Sequence, residues 1–240
     1  MRIERPALDF LTDRPFAHRG LHGSGVPENS LAAARAAIAT GFGIECDVRL
    51  NADGIVHVFH DRRLARLTGA RGMFGALTAG KVAALRLQGS SEAIPRLSAL
   101  LALTADTPLL IELKSDGGAQ ACARLCAAVA AELESYAGST AVMSFDPLVC
   151  HWFARHRPAI VRGLVVSRRH RTGIVARHGT ALAIARAMPH FIACDVRDLP
   201  QAAALAHRPR RPLLCWTVRT ARDRSRAGTH VDQIICEHVA

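Results

Sequence analysis

The chain has 240 residues, half of them apolar, and a formal net charge of +11. That length suits one domain, 1–240, of the larger single-domain kinds, which include α/β barrels of roughly 200–250 residues. No apolar run approaches the ~18 residues of a membrane span, and the N-terminal MRIERPALDFLTDRPF carries acids and lacks a signal peptide's apolar core, so a cytoplasmic location is expected.

Apolar, β-rich runs recur in chain order. PFAHRG (15–20) is the first. SLAAARAAIATG (30–41) follows, a helix-period segment with a Ser N-cap signal and a closing Gly. GIECDVRL (43–50) is the second strand; the turn NADG (51–54) and strand-like IVHVFHD (55–61) come next. Segment 62–107 is irregular: a Gly-rich stretch, then a predicted helix at TAGKVAALRL (78–87), then IPRLSALLAL (94–103). PLLIELK (108–114) is the third strand, then the amphipathic helix QACARLCAAVAAELESYAG (120–138), then strand TAVMSFD (140–146). VRGLVVSR (161–168), the helix TALAIARAMP (180–189), HFIACDVRD (190–198), the helix LPQAAALAHR (199–208), PLLCWTV (212–218) and DQIICEHV (232–239) complete the series. Eight strand–helix units predict an α/β fold, a (β/α)₈ TIM barrel with a short insertion after the second strand. The G-x-G-x-x-G signature that would favour a doubly wound sheet is missing after strand one.

Seven cysteines, an odd number with no CxxC pair, read as reduced core residues. Almost all the positive charge is arginine, Lys81 and Lys114 being the only lysines. Coding bias would account for this composition; the functional reading is attraction of an anionic substrate or of nucleic acid. RRHR (168–171) is the densest cluster, but without interleaved aromatics it reads as a solvated loop rather than a nucleic-acid platform.

Active sites of such barrels lie at the C-terminal strand ends. Ionisable residues gather there: His18-Arg19, Glu45 and Asp47, His60-Asp61, Glu112 with Lys114, and Asp146. Residues i and i+2 of a strand share a face. Glu45 and Asp47 therefore point together into the barrel mouth, as do Glu112 and Lys114. Three converging carboxylates repel each other, and a hard divalent cation relieves this better than one lysine; oxygen-only ligands suit Mg²⁺, Ca²⁺ or Mn²⁺. The competing arrangement is an ion-paired layer in which Arg19, Arg49 and Lys114 neutralise Glu45 and Asp47.

HRG (18–20), PENS (27–30), ECD (45–47), FHD (59–61) and ELK (112–114), in this order and spacing, resemble the glycerophosphodiester phosphodiesterase family. LTAGKVAALRL (77–87), IPRLSALL (94–101), SFDP (144–147) and WTV (216–218) extend the resemblance over nearly the whole chain. It implies a TIM barrel that cuts glycerophosphodiesters to sn-glycerol 3-phosphate and an alcohol. Glu45, Asp47 and Glu112 would hold a divalent metal, Mg²⁺ or Ca²⁺ with Mn²⁺ also suited. His18 and His60 would be the general acid/base pair, with His60 as proton donor. Arg19 and Lys114 would contact the phosphate, Trp216 would form part of the substrate wall, and Glu28 and Asn29 would support the mouth. Two departures stand out. Arg219 follows WTV where the family usually has Asn; it would either add a phosphate contact or face solvent, and solvent is the expectation. The last strand ends Cys236-Glu237-His238 where an Asp-containing turn is usual.

The expected partner is a small-molecule glycerophosphodiester, with no nucleic acid and no membrane span. Glu45→Gln or Asp47→Asn is expected to abolish turnover and leave the fold intact. A phospholipase of the C or D type on the same barrel is the alternative; it needs an exposed apolar loop, for which MFGAL (73–77) is the nearest candidate. A basic nucleic-acid-binding protein on an inactive barrel would explain the charge but not the inward acids.

Overall fold

The structure, a computed structural model, describes residues 7–104, 106–169, 173–205 and 211–237. In chain order the elements are β1 (Phe16–Ala17), α1 (Leu31–Ala39), β2 (Gly43–Leu50), β3 (Val56–Val58), α2 (Ala65–Thr68), α3 (Ala79–Ala84), α4 (Leu97–Leu103), β4 (Leu109–Leu113), α5 (Ala119–Glu132) and β5 (Thr140–Ser144). They continue with α6 (Pro147–His156), β6 (Val161–Val166), α7 (Gly173–Ala187, broken at Gly179), β7 (Phe191–Asp195), β8 (Leu213–Val218), α8 (Ala221–Ala227) and β9 (Gln233–Cys236). The sheet has nine strands, and β1 pairs with both β9 and β2, which closes it. Among the described residues only β3 is antiparallel, against β2; the remaining eight strands are parallel and form the predicted TIM barrel.

Strand alternation sorts the apolar residues into two layers. Leu110, Ala141, Met143, Val165, Phe191, Ala193, Leu214 and Ile235 fill the barrel, with Leu11 packed among them. The opposite faces, such as Cys46, Val48, Ile111 and Leu113 on β2 and β4, pack under the helices. Two glycines make room for interior rings. A Cβ at Gly163 would lie 2.2 Å from the Phe191 ring, and one at Gly43 would lie 2.6 Å from the Phe16 ring.

Local chemistry sets the helix starts. The Ser30 side chain accepts the Ala33 N–H at the head of α1, as its position predicts. Asp146, expected to close a strand, instead caps α6 by accepting the Leu148 N–H, with Pro147 in the first turn. α2, α6 and α8 are elements that the periodicity did not single out. The expected helix 199–208 is replaced over its described part by a 3₁₀ turn, Gln201–Leu205; residues 206–208 lie outside the described residues. HFIACDVRD is strand only to Asp195 and then winds into a 3₁₀ turn, Val196–Asp198, where the Asp195 side chain accepts the Arg197 N–H. Of the cluster 168–171, residues 170 and 171 lie outside the described residues, as does His238.

The expected insertion is present between β2 and β4. It has a core of its own, Phe59, Leu64, Leu67, Phe74, Val82, Leu87 and Ile94. Phe74, in the candidate apolar loop, is fully buried and stacks on Phe59 at 4.8 Å between ring centroids. It is therefore a core residue and not a lipid-facing one. All seven cysteines are buried and unpaired, as expected. No helix among the described residues is long and apolar enough to cross a membrane.

Candidate active site

At the C-terminal ends of the barrel strands lies a cavity of about 520 Å³, lined by His18, Arg19, Glu45, His60, Glu112, Lys114 and Trp216 among others. Seven of the ten residues singled out from the sequence thus line one cavity. The other three lie beneath or beside it. Asp47 is fully buried and pairs with Glu112 in register. Asn29 is buried on Asp47, and Glu28 holds Arg19.

The carboxylates are positioned by the strands. Glu45 and Asp47 sit two apart on β2 and Glu112 on neighbouring β4, so all three project to the same interior face. One oxygen from each lies within 4.8 Å of the others, with all three residues buried. Asp47 is the hub of this cluster. Lys114 Nζ lies 2.9 Å from Oδ1 and Arg19 Nε 3.1 Å from Oδ2. The Asn29 side-chain amide donates to Asp47 Oδ2 at 2.9 Å, while its carbonyl accepts the Asp47 backbone N–H at 3.1 Å. Burial alone would raise the Asp47 carboxyl, but Lys114 and Arg19 outweigh it and hold its pKa far below the usual range. Glu45 is the opposite case: burial, then the neighbouring charges of Asp47 and Glu112, push it well above the usual range.

Glu45 also carries the signature of a missing partner. Its Oε2 accepts the Arg19 backbone N–H at 2.9 Å, but its buried Oε1 has no hydrogen-bond partner among the described residues. An unsatisfied buried carboxylate oxygen facing two further carboxylates is costly unless a cation occupies the space. All three donors are oxygens, the set preferred by hard divalent cations. The ion-paired layer is therefore only partly realised: Arg19 and Lys114 engage Asp47, Glu45 is left short, and Arg49 turns away to Asp116 at 2.5 Å.

Arg19 and Asn29 both adopt left-handed backbone, at φ 58° and 57°. Such non-glycine residues cost energy and persist where surroundings enforce them. Here the Arg19 carbonyl accepts the Asn29 N–H at 2.9 Å, which ties the HRG and PENS loops together over Asp47.

Each histidine is backed by a carboxylate on Nδ1. His60 meets Asp61 Oδ1 at 2.6 Å, and His18 meets Glu237 Oε1 at 2.6 Å. An imidazole that donates Nδ1–H in this way leaves Nε2 as the working nitrogen. His18 Nε2 lies 4.0 Å from Glu45 Oε2, beside the carboxylate cluster. Burial lowers the His60 pKa; the attraction of Asp47 is opposed by Lys114 and Arg19. Trp216 closes the far side, edge-on to Phe145 at 5.4 Å, with its indole N–H on the Ala193 carbonyl at 3.2 Å.

Sequence reasoning missed several supporting residues. Arg66 on α2 binds both oxygens of Glu28 and both of Asp61. Arg197 pairs with the buried Asp195 on the cavity wall. Arg219 is exposed to solvent, as expected, at the cavity rim, and in addition it grips Glu237.

A parallel barrel whose mouth joins three converging carboxylates, two carboxylate-backed histidines and two partly buried cations has the make-up of a metal-assisted acid/base enzyme for an anionic substrate. The sequence profile of the Glycerophosphoryl diester phosphodiesterase family matches residues 18–240, and the chain belongs to that family. Among its relatives, the Mycobacterium tuberculosis protein named probable glycerophosphodiester phosphodiesterase 2 is 36% identical over 114 residues; the match covers 46% of this chain and 43% of that protein. Probable glycerophosphodiester phosphodiesterase 1 of the same organism is 28% identical over 239 residues, covering 88% and 85%. The fold also matches the solved structure of an Oleispira antarctica phosphodiesterase in complex with sn-glycerol-3-phosphate as product, with TM-score 0.80, 21% identity and coverage of 94% and 93%.

Proposed function

We propose that the protein hydrolyses glycerophosphodiesters to sn-glycerol 3-phosphate and an alcohol with the help of one divalent cation. The observation that carries this reading is the buried trio Glu45, Asp47 and Glu112, with Glu45 Oε1 lacking a hydrogen-bond partner among the described residues, and with Glu45 and Glu112 lining the same cavity as His18 and His60. The three carboxylates would hold Mg²⁺ or Ca²⁺, with Mn²⁺ an acceptable substitute. When bound, the cation supplies Lewis-acid polarisation of a phosphoryl oxygen.

The chain's own residues perform the rest. Lys114 stays cationic: burial would lower its pKa, but Asp47 and Glu112 raise it. Arg19, whose burial cost is likewise outweighed by Asp47, Glu28 and Glu45, stands beside it. Together they offer fixed positive charge where an anionic phosphodiester gains charge in the transition state. His18 takes a proton from the nucleophile at Nε2, on the side of the carboxylate cluster. His60 donates one from Nε2 to the departing alkoxide. Each transfer contributes ~10²–10⁴-fold. Trp216 and Phe145 form the apolar wall against which the organic part of the substrate rests.

The test is release of glycerol 3-phosphate from choline, ethanolamine, glycerol and inositol esters, with and without Mg²⁺, Ca²⁺ and Mn²⁺. Turnover that vanishes in chelator and returns with metal supports the reading. Undiminished turnover in excess chelator, or no release from any ester with any metal, overturns it. A diacyl phospholipid assayed in parallel addresses the phospholipase alternative, which has lost its best structural support now that Phe74 proves to be buried.

A further inference from the structure

The two places where the sequence departs from its family resemblance, Arg219 and Glu237, are in contact with each other. Arg219 Nε donates to Glu237 Oε2 at 2.7 Å and Nη2 to Oε1 at 2.9 Å. The same Oε1 accepts from His18 Nδ1 at 2.6 Å. The Glu237 carboxylate is nearly buried, with a side-chain exposure of 10%.

The backbone supports the same arrangement. Glu237 N–H donates to the Val218 carbonyl at 3.0 Å, which fixes Glu237 beside the residue before Arg219. His18 N–H donates to the Cys236 carbonyl at 2.9 Å, which fixes His18 beside the residue before Glu237. Barrel closure between β1 and β9 thus sets all three residues in one row, although His18 and Glu237 are 219 positions apart.

We infer that Glu237 is a positioning residue acting through His18, and that Arg219 holds Glu237 in place; this rests on the phosphodiesterase reading above. A carboxylate on Nδ1 selects one imidazole tautomer and fixes the ring plane, so Nε2 faces the cavity. The two-pronged guanidinium contact removes the carboxylate's freedom to rotate. It also occupies both Glu237 oxygens, which keeps this fourth acid committed to His18 and away from the cation-binding trio. His60 obtains the same support from the next residue, Asp61; His18 has an alanine and an arginine as chain neighbours and must find its carboxylate elsewhere in the fold.

The experiment compares wild type, Glu237→Gln, Glu237→Asp and Arg219→Gln. With a glycerophosphodiester and the best metal, Glu237→Gln should lower kcat by ~10–100-fold, the usual cost of losing a support of this kind. KM should stay within about threefold and the metal dissociation constant within about twofold, since Glu237 touches neither phosphate nor cation in this scheme. Glu237→Asp should recover part of the loss, and Arg219→Gln should fall between it and wild type. Proton NMR gives a readout independent of turnover: a downfield His18 Nδ1–H resonance in wild type, missing in Glu237→Gln. Near-wild-type kcat in Glu237→Gln, or a loss explained by weaker metal binding, overturns the inference. If wild type cleaves no diester, the functional reading fails, and the resonance alone decides the positioning: its presence in wild type and loss in Glu237→Gln support it, and its persistence in Glu237→Gln overturns it.

Discussion

At the scale of single residues, Glu45 and Asp47 look interchangeable in the sequence and are not. Asp47, itself buried, neutralises the partly buried Arg19 and Lys114 and receives the buried Asn29. Removing one partner of a buried pair leaves the other charge uncompensated, typically at ~3–5 kcal/mol. Asp47→Asn should therefore destabilise the protein by about 3 kcal/mol, contrary to the simpler expectation that the fold would be unaffected. Glu45, raised by burial and by Asp47 and Glu112, contributes instability once pH exceeds its ordinary carboxylate range. Glu45→Gln should leave metal-free stability unchanged within about 1 kcal/mol or raise it. Urea unfolding at pH 7 in chelator separates the two; equal losses would refute this division of labour. Both variants should lose at least ~10²-fold in kcat, being neighbours in one electrostatic unit.

At the scale of elements, short α2 links the PENS loop to the FHD loop. Its Arg66 joins Glu28, which holds Arg19, to Asp61, which orients His60. Arg66→Gln should cost about tenfold in kcat/KM, but under about 1 kcal/mol of stability, because the Arg66 side chain is 49% exposed. A variant with unchanged kinetics would show that the loops hold themselves. A second prediction belongs to the junction of α7 and β7. His190 Nδ1 accepts the Arg162 N–H at 3.3 Å, and its own N–H donates to the Arg162 carbonyl at 2.8 Å. Burial first, then Arg162 and Arg211, lower its pKa to about 4. The neutral form is thus favoured on folding. Its contribution is complete above ~6.5, the unfolded value, and is lost as pH falls from there to about 4. Stability measured by urea midpoint should decline over that window more steeply in wild type than in His190→Asn, which keeps an acceptor without the titration. Such junctions were poorly legible. α8 buries only Ala227, so it has no apolar stripe to read. α6 begins with an Asp-Pro start signal, but an acid at that place suits a barrel mouth equally well, so the local pattern reads as a strand end.

At the scale of the whole molecule, the barrel strands were legible because a parallel sheet buried on both faces writes continuous apolar runs, and acids within those runs mark the mouth. What β1 would meet on closing against β9 was not legible, because that depends on register and not on local pattern. Glu237 became a candidate only through its distance to His18. The closed barrel also couples the site to global stability. The native state alone assembles Glu45, Asp47 and Glu112, which come from two strands. A cation that binds this trio stabilises the fold by mass action, ~2.7 kcal/mol at a hundredfold excess over Kd. For a chain of this size ~1 kcal/mol moves Tm by about 2–4 °C, so saturating Mg²⁺, Ca²⁺ or Mn²⁺ should raise Tm by roughly 5–10 °C over the chelated protein. Binding also requires Glu45 ionised, and its raised pKa means that protons compete with the metal. The Tm increment should accordingly shrink as pH is lowered from 8 toward 5. In Glu45→Gln it should be small and nearly independent of pH. An increment as large in Glu45→Gln as in wild type would place the cation elsewhere and remove the trio from the chemistry.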